Sequence, residues 1–138
     1  MVLRDSFYTI VHSDISEKHA GFRLSLNPES FVYKAHFQNN PITPGVCLIQ
    51  MAVELFGVTK SEDLTIKTDF TIKTLKNVKF IAPVSPLEFP EVDFTLEFTP
   101  LEPVPNETGD TGNPGGWQLK VVVGKNEMVF AKMSMVLI

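Results

Sequence analysis

Apolar and polar positions change rhythm several times along this chain, and each rhythm fits one kind of element. Phe7 to His12 (FYTIVH) is dense in β-branched and aromatic residues and predicts a strand, with a polar turn over Asp14 to His19. Gly21 to Leu26 alternates Phe22, Leu24 and Leu26 against Arg23 and Ser25, the period of a half-buried strand that Asn27-Pro28 ends. Pro28 to Ser30 fits a single helical turn before Phe31 to Tyr33. From Val46 to Val58 nearly every residue is apolar, which predicts a helix buried on most of its circumference. Thr43 suits its N-cap, Pro44 its first helical position, and Gly57 a left-handed cap or a close packing contact near its end.

A charged turn over Lys60 to Asp63 and a mixed stretch from Leu64 to Phe70 follow the helix. Thr71 to Ile81 (TIKTLKNVKFI) should contain a strand that Pro83 and Pro86 close off. Phe89 to Phe98 sets Val92, Phe94, Leu96 and Phe98 against Glu91, Asp93, Thr95 and Glu97, the cleanest alternation in the chain. Residues 100 to 116 (PLEPVPNETGDTGNPGG) are too rich in proline, glycine and acid to bury a core and predict a long mobile hairpin loop. Trp117 to Val123 and Met128 to Ile138 close the chain as two strands joined by a Gly124 to Glu127 turn. One apolar helix among antiparallel strands gives an α+β class, a sheet curled around the helix, in a single domain over 1–138.

Two polar residues interrupt the helix, Gln50 and Glu54, about 6 Å apart along its axis. The stripe they share reads Thr43, Cys47, Gln50, Glu54, Gly57. An amide and a carboxylate on a buried helix need partners, so this face meets a cleft, an interface or a dedicated acceptor, or else reaches solvent at the helix edge.

Composition narrows the function. The 138 residues are 43% hydrophobic and 20% charged, ordinary for one globular domain, and a net charge of −4 argues against nucleic acid as a partner. A single cysteine forms no intrachain disulfide, no Cys/His cluster offers a structural zinc site, and neither a metal nor an organic cofactor is implied. Residues 1–13 do not have the pattern of a signal peptide, and the apolar run at 46–58 is too short to span a bilayer, so the expectation is a cytoplasmic protein off the membrane.

His36, Phe37, Pro41, Pro44, Gly45 and Val46 match an H-F-x-x-x-P-x-x-P-G-V pattern, and Val78 to Pro86 (VKFIAPVSP) matches V-K-F-x-x-P-V-x-P. Together the two motifs resemble the 3-hydroxyacyl-acyl-carrier-protein dehydratases, hotdog-fold enzymes of fatty-acid synthesis. The resemblance covers roughly residues 7–138, with 100–116 as an insertion. It implies a homodimer whose sheets join edge to edge. Each active site then lies at the subunit interface, with a histidine from one subunit and a carboxylate from the other's central helix. Acyl-carrier protein would deliver the substrate on its phosphopantetheine.

By this resemblance His36 is the base, helped by a pKa close to neutral, while His12 and His19 read as structural. The backbone N–H of Gly45, at a helix N-terminus, is assigned to the thioester oxygen, and Phe37, Pro44, Val46 and Phe80 to substrate binding. Phe22, Phe31, Phe37, Leu48, Met51 and Phe80 are the tunnel-lining candidates. The family carboxylate falls on Gln50, and the glutamine common one turn later falls on Glu54, so the two side-chain types are exchanged. An amide cannot supply a proton at neutral pH, and losing a general acid costs on the order of 10²- to 10⁴-fold.

Three readings follow. Glu54 acts as the acid, directly or through water held by Gln50. Alternatively, His36 shuttles the proton alone while Gln50 orients the hydroxyl. In the third, the chain is a non-catalytic acyl-carrier-binding partner or the weak subunit of a heterodimer. Acyl-thioester hydrolysis, with Glu54 activating water, is a further alternative on the same fold. Cys47 is either a thiol activated in the first helical turn or a small buried filler. Lys67, Lys73, Lys76 and Lys79 are either a docking face for an acidic carrier or a solvated strand face.

Overall fold

The computed structural model describes residues 2–35, 39–61, 69–102 and 115–138. The histidine of the first motif, the lysine at 67 and most of the 100–116 loop therefore lie outside the described residues. Among the described residues there are six strands and two helices: β1 (Tyr8–Ile15), β2 (His19–Leu26), α1 (Phe31–Ala35), α2 (Gly45–Lys60), β3 (Ile72–Phe80), β4 (Glu91–Pro100), β5 (Trp117–Lys125) and β6 (Met128–Leu137). The strands form one antiparallel sheet in the order β1-β2-β4-β5-β6-β3. The first strand after α2 thus crosses to the far edge.

Alternation decides which side of the sheet each residue serves. Phe22 and Leu24 pair with Phe94 and Val92 across β2/β4, and Phe94, Leu96 and Phe98 pair with Val123, Val121 and Leu119 across β4/β5. All of these are buried, in the same core as Cys47, Leu48, Met51, Ala52, Leu55 and Phe56 of α2. The helix so buries most of its circumference, as an apolar run of that length requires.

Several local expectations are corrected. The structural helix α1 covers Phe31–Ala35, while residues 28–30 make only a turn. Helix α2 starts at Gly45 with Pro44 as N-cap, and Thr43 does not cap it. Pro44 keeps an extended backbone (φ −60°, ψ 142°), and its carbonyl accepts the Cys47 and Leu48 N–H groups at 2.9 and 3.3 Å. The Thr43 hydroxyl instead meets the phenol of Tyr33 at 2.7 Å, because a buried tyrosine hydroxyl needs a partner. Gly57 is buried inside α2 and caps nothing. The helix stops at Ser61 with a right-handed backbone, and both its N–H (3.1 Å) and its hydroxyl (2.7 Å) donate to the Val58 carbonyl.

The last hairpin turns at Asn126 and Glu127, shorter than the expected Gly124 to Glu127 turn. Asn126 adopts φ 55°, which asparagine tolerates. Gly124 belongs to β5, where the register shifts. A Cβ there would lie 2.6 Å from the Met128 carbonyl oxygen, so the backbone approach requires glycine. At the base of the 103–114 segment Pro100 pairs with Trp117, and Leu101 N–H donates to the Gly116 carbonyl at 2.9 Å. Lys60 closes the other end of α2, its ammonium 4.0 Å from the Trp117 ring centre and 4.6 Å from that of Phe98.

Candidate active site

The two sequence motifs meet in space. A cleft of about 360 Å³ opens at the N-terminus of α2. One wall is Ile42, Thr43, Pro44, Gly45 and Leu48, from the first motif and the helix start. The other is Phe80, Ile81, Ala82, Pro83 and Val84, from the second. The Thr43 N–H donates to the Val84 carbonyl at 2.8 Å and holds the walls together. Ile81 and Ala82 are fixed in turn by donating their N–H groups to the Phe130 carbonyl, at 2.7 and 3.1 Å.

Gly45 and Phe80 define the mouth. A Cβ built on Gly45 would lie 2.5 Å from Cζ of Phe80, so only glycine admits the ring at this position. As the first residue of α2, Gly45 has an amide without an acceptor inside the helix, and the helix N-terminus carries partial positive charge. An apolar cleft ending at such an amide suits a substrate with a greasy chain and an oxygen that gains negative charge.

Of the other candidates, Pro44 and Leu48 line the cleft, while Val46 is 72% exposed and is not among its lining residues. Among the tunnel candidates Phe22 and Met51 are buried, whereas Phe31 is 81% exposed. Cys47 is buried, and that burial pushes its thiol pKa up, which fits the filler reading. His36 and Phe37 lie outside the described residues.

Gln50 and Glu54 are joined directly, Gln50 Nε2 donating to Glu54 Oε2 at 2.9 Å. The Glu54 carboxylate also accepts the Leu3 N–H (2.8 Å), the Arg4 N–H (2.9 Å) and the Tyr8 hydroxyl (3.0 Å). These donors come from a hook at residues 3–8, in which Asp5 turns the chain at φ 70° and the Phe7 N–H returns to the Leu3 carbonyl at 2.8 Å. Burial, and then the Glu54 charge, push the Tyr8 phenol far above its ordinary range, so it remains a donor. Sequence reasoning anticipated that this face of the helix needs partners but missed the hook. Its only signal was the buried pair Leu3 and Phe7 around a polar Arg4-Asp5-Ser6 turn.

Register adds to the lysines of β3. Lys79 stands directly opposite Lys132 of β6, while Lys76 and Lys120 flank Ser134 from β3 and β5. All four lysines are exposed, and among the described residues none makes an ion pair. By contrast Arg23 stands opposite Asp93 and pairs with it at 3.0 Å.

Comparison with known proteins assigns the chain to a family. A family model described as ApeI-like, ApeI dehydratase, matches residues 12–101, which include both motifs. The chain belongs to the ApeI-like dehydratase family. No curated protein sequence matches it. Among solved structures it is similar to the dehydratase heterocomplex ApeI:P from Xenorhabdus doucetiae, at TM-score 0.54 and 16% identity over 93% of this chain and 95% of that one. It is also similar to an uncharacterized protein from Erwinia carotovora subsp. atroseptica, at TM-score 0.55 and 14% identity over 94% and 92% of the two chains. The ApeI-like membership supports the hotdog assignment and a dehydratase-like site. Among the described residues no helix is long and apolar enough to cross a membrane, and no cluster of His, Cys, Asp and Glu could hold a metal ion.

Proposed function

We propose that this chain dehydrates 3-hydroxyacyl thioesters carried on acyl-carrier protein to trans-2-enoyl thioesters, in fatty-acid or related lipid biosynthesis. The observation that supports this is the meeting of the two motifs across one apolar cleft, with the Gly45 amide at its mouth. In this reading His36 removes the proton next to the carbonyl while the Gly45 N–H steadies the oxygen that gains charge. The imidazolium then returns its proton to the departing 3-hydroxyl. One C–H and one C–O bond break, a C=C bond forms and water leaves. Gln50 orients the hydroxyl. Phe37, Pro44 and Phe80 confine the acyl chain.

The assembly proposed is a dimer through the β3 edge. That edge leaves Leu75 exposed along the strand, and Phe80 and Ile81 more than half exposed where it meets the cleft. Lys76, Lys79, Lys120 and Lys132 give the carrier protein's acidic surface a place to dock. No cofactor takes part, and the site of action is the cytoplasm.

A second reading is favoured by one observation: the position of the family carboxylate holds Gln50, and Glu54 is fully engaged with the hook. Here the chain is the weak half of a two-chain dehydratase and needs a partner that brings the missing acid.

The deciding experiment incubates the purified chain with 3-hydroxyacyl carrier protein and follows product by mass spectrometry. Loss of one water from the carrier-bound acyl group supports the first reading. Free acid and thiol would make it a thioesterase, and binding without conversion would make it the partner subunit.

A further inference from the structure

Lys76 and Lys79 stand three positions apart on β3, a spacing that in an unbroken strand sends two side chains to opposite faces of the sheet. Here they share one face. Lys76 is the partner of Ser134 and Lys79 that of Lys132, so β3 advances three residues while β6 advances two. The extra residue makes a β-bulge, and Asn77 bends the strand there with φ 52°, a left-handed backbone that asparagine tolerates. Ser134 and Lys132 are two apart on β6 and lie on one face, and their partners on β3 follow them there.

Register then sets lysines on both sides of one hydroxyl. Ser134 is half-buried, with Lys76 opposite it on β3 and Lys120 opposite it on β5. In the next row Lys132 faces Lys79 on one side and Val122 on the other, so neither neighbour offers it a counter-charge. On its far side Lys120 faces Glu97 of β4, yet the two do not form an ion pair. Like charges placed directly opposite each other destabilise a sheet, so the bulge gathers these lysines at a cost to the free chain.

We propose that Lys76, Lys79 and Lys132, with the Ser134 hydroxyl among them and Lys120 at the rim, bind a phosphate group carrying two negative charges. Strand spacing and rise place the four lysines within roughly 10 by 7 Å. Their long flexible stems let several ammonium groups swing onto a single anion. A carboxylate would neutralise one of them, whereas a phosphate dianion neutralises two and offers three strong acceptor oxygens. Glu97, beyond Lys120, repels an anion from β4 and confines it to the β6/β3 side. The proposal goes beyond the dehydratase reading and does not need it. Where an acidic carrier meets the same lysines, the two ligands must compete.

The test titrates the full chain with inorganic pyrophosphate, with sodium chloride holding the ionic strength constant. The backbone amides of Lys79, Lys132 and Ser134 should shift saturably in a ¹H–¹⁵N spectrum, and the melting midpoint should rise. Lys79→Gln and Lys132→Gln should each weaken binding by at least about tenfold. In the free chain each should leave the melting midpoint unchanged or raise it by ~1–3 °C, because each removes a like-charge contact. A residue that merely held the sheet together would lower that midpoint.

Adenosine 3′,5′-bisphosphate in place of pyrophosphate separates the sources. Tighter binding supports the site with a nucleotide-borne phosphate, and equal or weaker binding supports it with a free one. The same shifts produced by sodium chloride alone, or unchanged binding in both variants, would overturn the proposal. A chain that binds pyrophosphate but neither carrier protein nor acyl thioester would sink the dehydratase reading and leave this one standing.

Discussion

Tyr33 and Thr43 share a 2.7 Å hydrogen bond between buried side chains ten positions apart, and His36 lies in the chain between them. The Tyr33 ring also stacks on Phe7 at 4.9 Å, so one residue ties α1, the start of α2 and the hook together. Tyr33→Phe should cost about 1 kcal/mol in denaturant unfolding, because it leaves the Thr43 hydroxyl without its partner. Removing both hydroxyls, in Tyr33→Phe with Thr43→Val, should cost no more than the worse single change. Strict additivity of the two losses would show that the pair is not coupled.

Replacing Gly45 tests the cleft. Gly45→Ala brings a methyl group against Phe80, and because that ring is 55% exposed it can swing aside. Melting should change by no more than a few degrees, since alanine also favours the helix. Turnover should fall by about 100-fold as the mouth deforms. Adding Phe80→Ala should recover part of it, and a fully active Gly45→Ala chain would show that the contact between residue 45 and the Phe80 ring does not shape the reacting mouth.

Both tyrosines of the chain, Tyr8 and Tyr33, hold their protons beyond the ordinary range. Burial is the first cause in each. It pushes Tyr33 up to about 12 although the Thr43 hydrogen bond pulls the other way, and the Glu54 charge pushes Tyr8 further still. The unfolded chain loses these protons at about pH 10, so the folded chain binds more of them above that point. Their contribution to stability is complete below about pH 10 and is lost as pH rises through about 12 for Tyr33 and beyond for Tyr8. Tyrosinate absorbance should therefore appear only together with unfolding. A free phenol titrating near pH 10 in the folded chain would contradict the burial.

Lys132→Glu should separate stability from docking. It places a carboxylate opposite Lys79, as Asp93 stands opposite Arg23, and should raise the melting midpoint by ~1–3 °C. The same change should weaken association with acyl-carrier protein and flatten its dependence on salt. Unchanged carrier affinity would remove these lysines from the docking face.

What could be read from the sequence was local. The alternation of Val92 to Phe98 placed every buried residue of β4 on one side, and the apolar run after Gly45 gave α2 to within a few residues. The paired motifs identified the family before their contact across the cleft was visible. What escaped depended on distant partners. Thr43 looks like a helix cap until Tyr33 claims its hydroxyl, and Glu54 looks like an acid until a hook 46 to 51 positions away fills its oxygens. The doubling of the lysine face needed the β3/β6 register, because Lys132 lies in a strand that the chain reaches only at its end.

The register that sets Lys79 against Lys132, with Lys76 and Lys120 close by, also limits how copies of this protein can associate. Two such sheets laid back to back at these lysines would bring positive charge onto positive charge. Larger assemblies are therefore steered to grow sideways from a strand edge or through the helical side, and the lysine-bearing surface is kept clear for visitors of opposite sign.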